Sequence, residues 1–444
     1  MKKLLLLSLT TATLLATDKT SVIFMIGDGM GPTYTSTYRY YKDDNSTQKM
    51  DATVFDSLFI GMNTTYSDNS LITDSAAAAT ALATGYKTNN GFIGIMDQNT
   101  TQKQTVLEYA KENGYLTAMA VTSTLTHATP AAFLSNGHHR DDEAEIAKDY
   151  LSLTKSGKLK FDFLMGGGEK YFLEAFSDFN ARAKKESLTL YRNDYDFTNI
   201  KNYPFIAFTA YDYPAFALDE NKENRFRVAK MTNKALSLLD NKDFFLMIES
   251  SQIDWCGHLN DIACTMAEME DFSRSVTLAK AYVDKHPNTL LIVTADHSTG
   301  GLAIGDKIDK KDDTISDEIK SRSYIWYKES IQHIDSSSIS IAKDLNTSKD
   351  INVTFKKQTG ITLKNHEYKK LKSTIALNKI KVLWHEVNVI INRHSNTGWT
   401  THGHNAVDVE TFAYGKDSEK FKGFMDNTDI AKKIFEVLGR KSKK

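Results

Sequence analysis

The chain has 444 residues, of which 41% are hydrophobic and 25% charged, and its formal net charge at pH 7 is -1. This length allows one large core or a few ordinary domains, and the composition is that of a folded, soluble protein. A charge so close to zero gives no attraction to nucleic acid or to an anionic membrane, so we expect neither as a partner. No apolar run reaches the roughly 18 residues that a membrane-spanning helix needs.

The N-terminus reads MKKLLLLSLTTATLLA, in which two lysines precede an apolar stretch and then small residues. This order is typical of a secretory signal peptide. We therefore predict a signal peptide over residues 1–17 that is cleaved near Ala16. The mature protein is then expected to be exported, to a periplasm.

Five short apolar runs that lack polar alternation are predicted to be buried parallel strands. They are residues 21–26, 116–121, 161–165, 244–248 and 289–293. Helical stretches with apolar residues at three- and four-residue spacing lie between them, such as RFRVAKMTNKALSLLD and MAEMEDFSRSVTLAKAYVDK. Strands that alternate with helices predict an α/β fold whose mostly parallel central sheet is covered by helices on both faces.

Residues 71–85 read LITDSAAAATALATG, an alanine-rich run that follows Asp74 and Ser75 and ends in a glycine. Alanine favours helix, glycine ends it, and serine or aspartate can cap its first turn. Ser75 has two possible roles. It caps the helix, or it is a nucleophile for phosphorus, because the free N–H groups at a helix start favour a phosphoryl group. The local pattern leaves both open.

The sequence contains two cysteines, Cys256 and Cys264. In an oxidising compartment they could form a disulfide. If the segment between them is one helix, they lie about 12 Å apart, which is beyond the reach of a disulfide. We therefore favour two buried thiols.

The character of the chain changes over residues 303–395, which are lysine-rich, charged and weakly periodic. Strand character returns at residues 411–415, and DIAKKIFEVLGR indicates a terminal helix. We predict one core domain, residues 18–302 and 396–444, interrupted by a subdomain over residues 303–395. The insertion could instead be disordered or bind a partner, but its aromatic residues and the run LWHEVNVIINR favour a folded unit.

Acidic and histidine side chains follow three of the predicted strands. They are Asp28, Glu249, Asp254, His258, Asp296 and His297, and His402 and His404 join them near the C-terminus. Because ligands bind at the carboxyl ends of strands in open α/β sheets, we expect these side chains to converge. Clustered carboxylates would repel one another, and divalent cations remove that cost. Taken singly, each residue fits a turn or the surface, but repetition at three strand ends favours metal sites.

Several longer motifs occur in a specific order along the chain. They are VIFMIGDGMG, TDSAAAATALATGYKT, THATPAAF, ESSQIDWCGH, VTADHSTGG and GWTTHGHNAVDVETFAYG. With them the sequence resembles the alkaline phosphatase family over nearly the whole mature chain. The resemblance implies a doubly wound α/β fold with a small, crown-like inserted subdomain. It also implies hydrolysis of small phosphate monoesters through a phosphoserine intermediate, two zinc ions and one magnesium ion, and a homodimer.

The resemblance also assigns roles to individual positions. Ser75 would be the nucleophile and Arg140 would clamp phosphate oxygens with its planar fork. The implied ligands of the first zinc are Asp254, His258 and His404, and those of the second are Asp28, Asp296 and His297. The implied ligands of magnesium are Asp28, Thr129 and Glu249. Ser75 would also face the metals. Asp74, His127 and Trp255 would border the substrate or the metal ligands.

Two positions depart from the best-studied bacterial pattern of that family. His127 stands where some members have an aspartate near magnesium, and Trp255 stands where some have a lysine that reaches phosphate through water. These departures put the magnesium affinity and the rate of phosphate release in question, but not the activity.

Other functions are less consistent with these residues than a monoesterase. A phosphodiesterase or nucleotide pyrophosphatase of the same superfamily is disfavoured by Arg140 and by the THATP and GWTTHGH segments. A sulfatase would need a cysteine or serine in a C/S-x-P-x-R context, which DSAAA lacks. A secreted zinc- or phosphate-binding protein without turnover is the non-enzymatic alternative.

Overall fold

The structure is a computed structural model that describes residues 19–44, 46–96, 101–154, 156–192, 195–305 and 325–441. The predicted signal peptide and its cleavage site lie outside the described residues. Within the described ranges, no helix is both long and apolar enough to cross a membrane.

The strands are numbered in chain order. They are β1 (Ser21–Gly27), β2 (Phe59–Thr64), β3 (Phe92–Ile93), β4 (Ile95–Met96), β5 (Thr101–Gln102), β6 (Leu116–Thr124), β7 (His138–His139), β8 (Phe163–Gly167), β9 (Thr189–Arg192), β10 (Phe205–Phe208), β11 (Phe244–Ser250), β12 (Thr289–Thr294), β13 (Ser298–Thr299), β14 (Leu302–Ile304), β15 (Thr397–Trp399), β16 (His404–Asn405), β17 (Val409–Gly415) and β18 (Gly423–Asp426).

The helices are numbered in the same way. They are α1 (Pro32–Lys42), α2 (Val54–Leu58), α3 (Ser75–Thr84), α4 (Val106–Glu112), α5 (Ala128–Leu134), α6 (Glu143–Tyr150), α7 (Glu169–Ala175), α8 (Phe179–Lys185), α9 (Arg227–Leu239), α10 (Gln252–Leu259), α11 (Ile262–Lys285), α12 (Ser338–Thr347), α13 (Ile351–Thr359), α14 (Asn365–Ile375), α15 (Ile380–Ser395) and α16 (Asn427–Val437). Short 3₁₀ turns lie at Lys328–Ser330 and Ser418–Phe421.

Ten of the strands form the central sheet, in the order β18-β2-β17-β12-β1-β11-β6-β8-β10-β9. Strand β1 lies between β11 and β12 and runs parallel to both. Strand β17 runs antiparallel to its neighbours β12 and β2, whereas the other neighbouring pairs of this sheet are parallel. All five strands that the sequence predicts are present in it, as β1, β6, β8, β11 and β12.

Each face of the sheet has its own hydrophobic core. Alternate residues of β1 point to the two cores: Ile23 and Met25 belong to one, and Val22 and Phe24 to the other. The first core includes apolar side chains of α9, α10 and α11, and the second includes those of α3, α5 and α16. Because β1 is buried on both faces, its sequence shows no polar alternation. The predicted α/β fold, with a mostly parallel sheet between helical layers, is confirmed.

The two cysteines form a disulfide, so the prediction of two buried thiols is wrong. That prediction assumed one helix, but α10 ends at Leu259 and Asn260 takes a left-handed conformation (φ 54). A new helix, α11, then begins after Asp261, which caps it by accepting a hydrogen bond from the Cys264 backbone N–H. This turn brings the Cα atoms of Cys256 and Cys264 to 5.5 Å, within the range of a disulfide.

Residues 325–395 of the predicted insertion are described, and they contain the helices α12, α13, α14 and α15. Their apolar residues, such as Phe355 and Leu383, are buried in the same core as α9 and α11. Strands β14 and β15 pair with each other at the two ends of the insertion. Residues 306–324 lie outside the described part, and the boundaries of the subdomain stay a prediction.

Candidate active site

The carboxyl ends of β1, β11 and β12 place three carboxylates side by side. Asp28 follows β1, Glu249 is the penultimate residue of β11, and Asp296 follows β12 closely. These strands are adjacent and parallel in the sheet, so the three side chains reach the same edge. All three residues are fully buried.

Ser75 is the first residue of α3, and Asp74 is its N-cap. The Asp74 carboxylate accepts a hydrogen bond from the Ala77 backbone N–H at 3.0 Å, so the capping role belongs to the aspartate. The Ser75 hydroxyl lies instead 3.2 Å from Nε2 of His297, at a buried position. The hydroxyl is therefore free of helix capping and faces the histidine and carboxylate cluster.

A first cluster joins Asp254 and His258 of α10 to His404 of β16. Nε2 of His258 lies 3.3 Å from Asp254 Oδ2, and Nε2 of His404 lies 3.7 Å from Asp254 Oδ1. The two Nε2 atoms are 3.2 Å apart. A carboxylate and two imidazoles that converge on one point are a donor set suited to zinc.

Both imidazoles are oriented by backbone carbonyls. Nδ1 of His404 lies 2.9 Å from the carbonyl oxygen of Thr73, and Nδ1 of His258 contacts the carbonyl oxygen of His402. A carbonyl only accepts, so Nδ1 carries a proton in each ring, and Nε2 is the ring nitrogen directed at the cluster. Such partners fix the tautomer and raise the basicity of a metal-ligating histidine.

A second cluster contains Asp28, Asp296 and His297. Nε2 of His297 lies 3.4 Å from Asp28 Oδ1 and 3.3 Å from Asp296 Oδ2. Oδ1 of Asp296 accepts hydrogen bonds from the backbone N–H groups of Gly29 and His297, at 3.0 and 2.9 Å. These bonds fix the Asp296 carboxylate and leave its Oδ2 for another ligand.

A third cluster shares Asp28 with the second and adds Glu249 and His127, with ligand atoms within 4.8 Å of one another. Thr129, at the start of α5, has a fully buried hydroxyl without a hydrogen-bond partner among the described residues. Burial, and secondarily the charge of Arg140, lowers the pKa of His127 to about 3. The imidazole is therefore neutral in the metal-free protein.

The three carboxylates at the strand ends are electrostatically strained when no cation is present. Both oxygens of Asp28, both of Glu249 and Oδ2 of Asp296 are buried and lack hydrogen-bond partners among the described residues. Burial and the neighbouring carboxylates raise the pKa of Asp28, and burial raises the pKa values of Glu249 and Asp296. Bound divalent cations would satisfy these oxygens, so the donor set fits the metals that the sequence implies.

Arg140 contacts Asp74 and His127, which border the cluster. Its Nη1 lies 3.1 Å from Asp74 Oδ2, and its Nη2 lies 3.4 Å from Nε2 of His127. Its side chain keeps 25% of its surface exposed, so the guanidinium is accessible to an incoming anion. The Trp255 ring packs edge-on against the ring of His127, with 5.8 Å between centroids.

Sequence reasoning missed Thr299, two residues beyond His297. Its hydroxyl donates a hydrogen bond to Oδ1 of Asp254 and lies 3.2 Å from Nδ1 of His297. Thr299 therefore connects the first cluster to the second. The signal was its place within the VTADHSTGG motif, where a hydroxyl follows two candidate ligands.

The comparisons with known proteins agree with this geometry. A family model described as alkaline phosphatase matches residues 19–440. The chain is 38% identical to alkaline phosphatase 3 of Bacillus subtilis (strain 168), covering 94% of this chain and 88% of the relative. It is 32% identical to an alkaline phosphatase of Schizosaccharomyces pombe, covering 92% and 79%.

Two solved structures are also similar. A cold-active alkaline phosphatase from a psychrophilic Shewanella sp. is 37% identical, with a TM-score of 0.85 and coverage of 95% of this chain and 100% of that one. A histidine-to-glutamate variant of TAB5 alkaline phosphatase, described with magnesium bound in its M3 site, is 27% identical, with a TM-score of 0.69 and coverage of 96% and 99%.

These relatives are named phosphatases, which supports the monoesterase over the diesterase and over a binding protein without turnover. The family match extends over nearly all of the chain after its first 18 residues. The chain therefore belongs to the alkaline phosphatase family, whose members hydrolyse phosphate monoesters.

Proposed function

We propose that this enzyme hydrolyses small phosphate monoesters through a phosphoserine on Ser75, with two zinc ions and one magnesium ion. The observation that carries the proposal is the Ser75 hydroxyl, which lies 3.2 Å from His297 Nε2, beside buried carboxylate oxygens that have no hydrogen-bond partner among the described residues. A serine hydroxyl is a weak nucleophile until a base or a metal activates it. The described surroundings of Ser75 offer candidate metal ligands for that task.

The proposed ligand sets follow the three clusters. Asp254, His258 and His404 would hold the first zinc. Asp28, Asp296 and His297 would hold the second, with the Ser75 oxygen facing it. Asp28, Glu249 and Thr129 would hold magnesium, which prefers oxygen ligands. Such cations supply Lewis-acid stabilisation of the negative charge on the entering and leaving oxygens.

The residues of the chain position the substrate around that centre. The Arg140 guanidinium, held by Asp74, can donate to two oxygens of one phosphoryl group. The partial positive charge at the start of α3 favours the same group. Ser75 Oγ would attack phosphorus and lose its proton while the ester P–O bond breaks and the alcohol departs. Water would then cleave the phosphoserine, and Ser75 would regain its proton as phosphate leaves.

We propose that His127 makes magnesium bind more weakly and that Trp255 makes phosphate bind more weakly. A neutral imidazole adds no negative charge to the shell of the ion, whereas a carboxylate at this position would. Trp255 has no positive charge to attract phosphate, and its indole can only donate one hydrogen bond.

We also propose that residues 1–17 direct export to the periplasm and that residues 303–395 form an inserted subdomain. A homodimer is proposed from the family resemblance. The exposed side chains of Leu71 and Ile72, in the loop before Ser75, are candidates for its interface. Measuring the mass of the mature protein in solution, with Leu71→Asp as the comparison, tests the dimer.

The activity is tested with an aryl phosphate monoester and the matching diester, before and after treatment with a chelator. We expect turnover of the monoester, loss of that turnover when metals are removed, and recovery when zinc and magnesium are returned together. Elemental analysis should find two zinc ions and one magnesium ion per chain. Turnover that survives complete metal removal, or a preference for the diester, would contradict the proposal.

A further inference from the structure

Leu259, the last residue of α10, follows directly after His258 and precedes the turn to α11. We name residues Leu259–Asp261 the α10–α11 junction. The last carbonyl groups of α10 have no partner within the helix, as at any helix end. The groups that donate hydrogen bonds to these carbonyls therefore affect the position of the end of α10 and of His258, which lies on it.

Two asparagines from the predicted insertion satisfy the carbonyls of the junction. Nδ2 of Asn388 donates to the Leu259 carbonyl oxygen at 2.8 Å, and Nδ2 of Asn392 donates to the Asn260 carbonyl oxygen at 2.9 Å. The two asparagines are four residues apart on α15 and so lie on one face of that helix. Asn388 is 1% exposed, which makes its hydrogen bond difficult for water to replace.

Helix α12 of the insertion adds another contact with the same junction. The Ser338 backbone N–H donates to Oδ2 of Asp261 at 2.7 Å, while Oδ1 of Asp261 caps α11. Nδ2 of Asn388 also donates to the Ser338 hydroxyl at 2.9 Å, which connects α12 to α15. The insertion thus holds all three residues of the junction.

His402 contacts both the backbone and the ring of His258. Nδ1 of His402 lies 2.9 Å from the His258 carbonyl oxygen, and the His402 carbonyl oxygen contacts Nδ1 of His258. The ring of His385, on α15, packs on the ring of His402 with 5.2 Å between centroids. Helix α15 therefore contacts two parts of the structure that hold His258. It contacts the α10–α11 junction, which continues the backbone of His258, and it contacts His402, which is the partner of the His258 ring.

We propose that Asn388 and Asn392 of the inserted helix α15 are positioning residues for the first metal site, because they fix the end of α10 that carries His258. This inference rests on the proposed function, in which Asp254, His258 and His404 hold zinc. Neither asparagine touches that cluster. Each acts through the backbone of α10, so the insertion contributes to metal retention although none of the proposed metal ligands belongs to it.

The test compares how fast zinc is lost from the full mature protein. The variants are Asn388→Ala/Asn392→Ala together and Asn392→Ala alone, the milder change because Asn392 is less buried. The control is His394→Ala, which removes a hydrogen bond on the same helix between His394 Nε2 and Glu367, 3.1 Å apart and internal to the insertion. Zinc per chain is counted by native mass spectrometry at intervals after a chelator is added.

We expect one of the two zinc ions to leave faster from the double variant, by up to about 10- to 100-fold, which is the loss of metal affinity typical when a direct outer-shell partner of a metal ligand is removed. Asn392→Ala should show a smaller acceleration, and His394→Ala should lose zinc at the parent rate even if its melting temperature falls. Zinc loss at the parent rate in both asparagine variants, or equal acceleration in His394→Ala, would overturn the inference. If the parent protein binds no zinc, the proposed function is refuted as well. If the parent binds two zinc ions and the variants behave like it, only the role of the two asparagines is refuted.

Discussion

Removing the metals should make the stability of this protein fall as the pH rises. Asp28, Glu249 and Asp296 are fully buried at one edge of the sheet, and most of their oxygens have no hydrogen-bond partner among the described residues. Leaving a buried charge without a partner costs roughly 3–5 kcal/mol. Without cations, the cluster avoids this cost by keeping protons, which is why burial raises the pKa values of these carboxyl groups.

The sign follows from the protons bound in each state. Above the ordinary carboxyl pKa of about 4, the unfolded chain has released protons that the metal-free folded protein retains. The folded state then binds more protons than the unfolded state, so the free energy of unfolding decreases as pH rises toward the raised pKa values. For each pH unit over which the folded protein keeps one such proton, the free energy of unfolding falls by about 1.4 kcal/mol. Together the three groups should lower the free energy of unfolding by several kcal/mol between about pH 5 and about pH 9.

The assay is thermal unfolding of chelator-treated and metal-loaded protein at about pH 5 and about pH 9, where the difference between the two curves reports the titrating side chains of all three metal clusters. For a chain of this size, 1 kcal/mol shifts the melting temperature by about 1 °C, so several kcal/mol corresponds to a fall of about 5 °C. We expect that fall in the metal-free protein and a much smaller one in the loaded protein. Glu249→Gln should reduce the fall in the metal-free protein, because it removes one of the titrating groups. Parallel curves for metal-free and loaded protein would refute the reasoning.

Three further variants test individual contacts. Arg140→Lys keeps the charge but loses the planar fork, so the inhibition constant for inorganic phosphate should rise about tenfold; an unchanged constant would remove Arg140 from the phosphate site. Thr299→Val removes the hydroxyl that donates to Asp254, so zinc should be lost about tenfold faster to a chelator while the melting temperature changes little. The opposite pattern, a large fall in melting temperature with normal zinc retention, would make Thr299 a purely structural residue. His127→Asp combined with Trp255→Lys should tighten inhibition by phosphate and lower turnover, since phosphate release then becomes slower. A weaker or unchanged inhibition constant would show that these two charges do not control release.

The fold was predictable wherever burial determines the sequence. Strands β1, β11 and β12 are buried along their whole length and appear in the sequence as unbroken apolar runs. Strand β2 was missed because it mixes exposed and buried residues over a short run with a glycine, FIGMNT. The disulfide was missed because one left-handed residue, Asn260, turns a continuous helical pattern into two helices.

Most of the candidate site was predictable because parallel strands bring their carboxyl ends together. That rule places Asp28, Glu249 and Asp296 side by side although they are far apart in the chain. The orientation of the imidazoles was not predictable, since the carbonyls of Thr73 and His402 that hold them leave no trace in a side-chain pattern. The contribution of Asn388 and Asn392 depends in the same way on tertiary contacts with a backbone.

Trapping the phosphorylated enzyme tests the central claim most directly. The mature, metal-loaded protein is mixed with a phosphate monoester and quenched in acid, and its peptides are mapped by mass spectrometry. Ser70→Ala, in the loop before α3, is the control, because within the described part of the chain the Ser70 hydroxyl accepts a single local hydrogen bond, from the Ile72 N–H at 3.2 Å. We predict one phosphate on Ser75 in the parent and in Ser70→Ala, and neither phosphoserine nor appreciable turnover in Ser75→Ala. Phosphate on a different residue, or turnover by Ser75→Ala at the parent rate, would contradict the account.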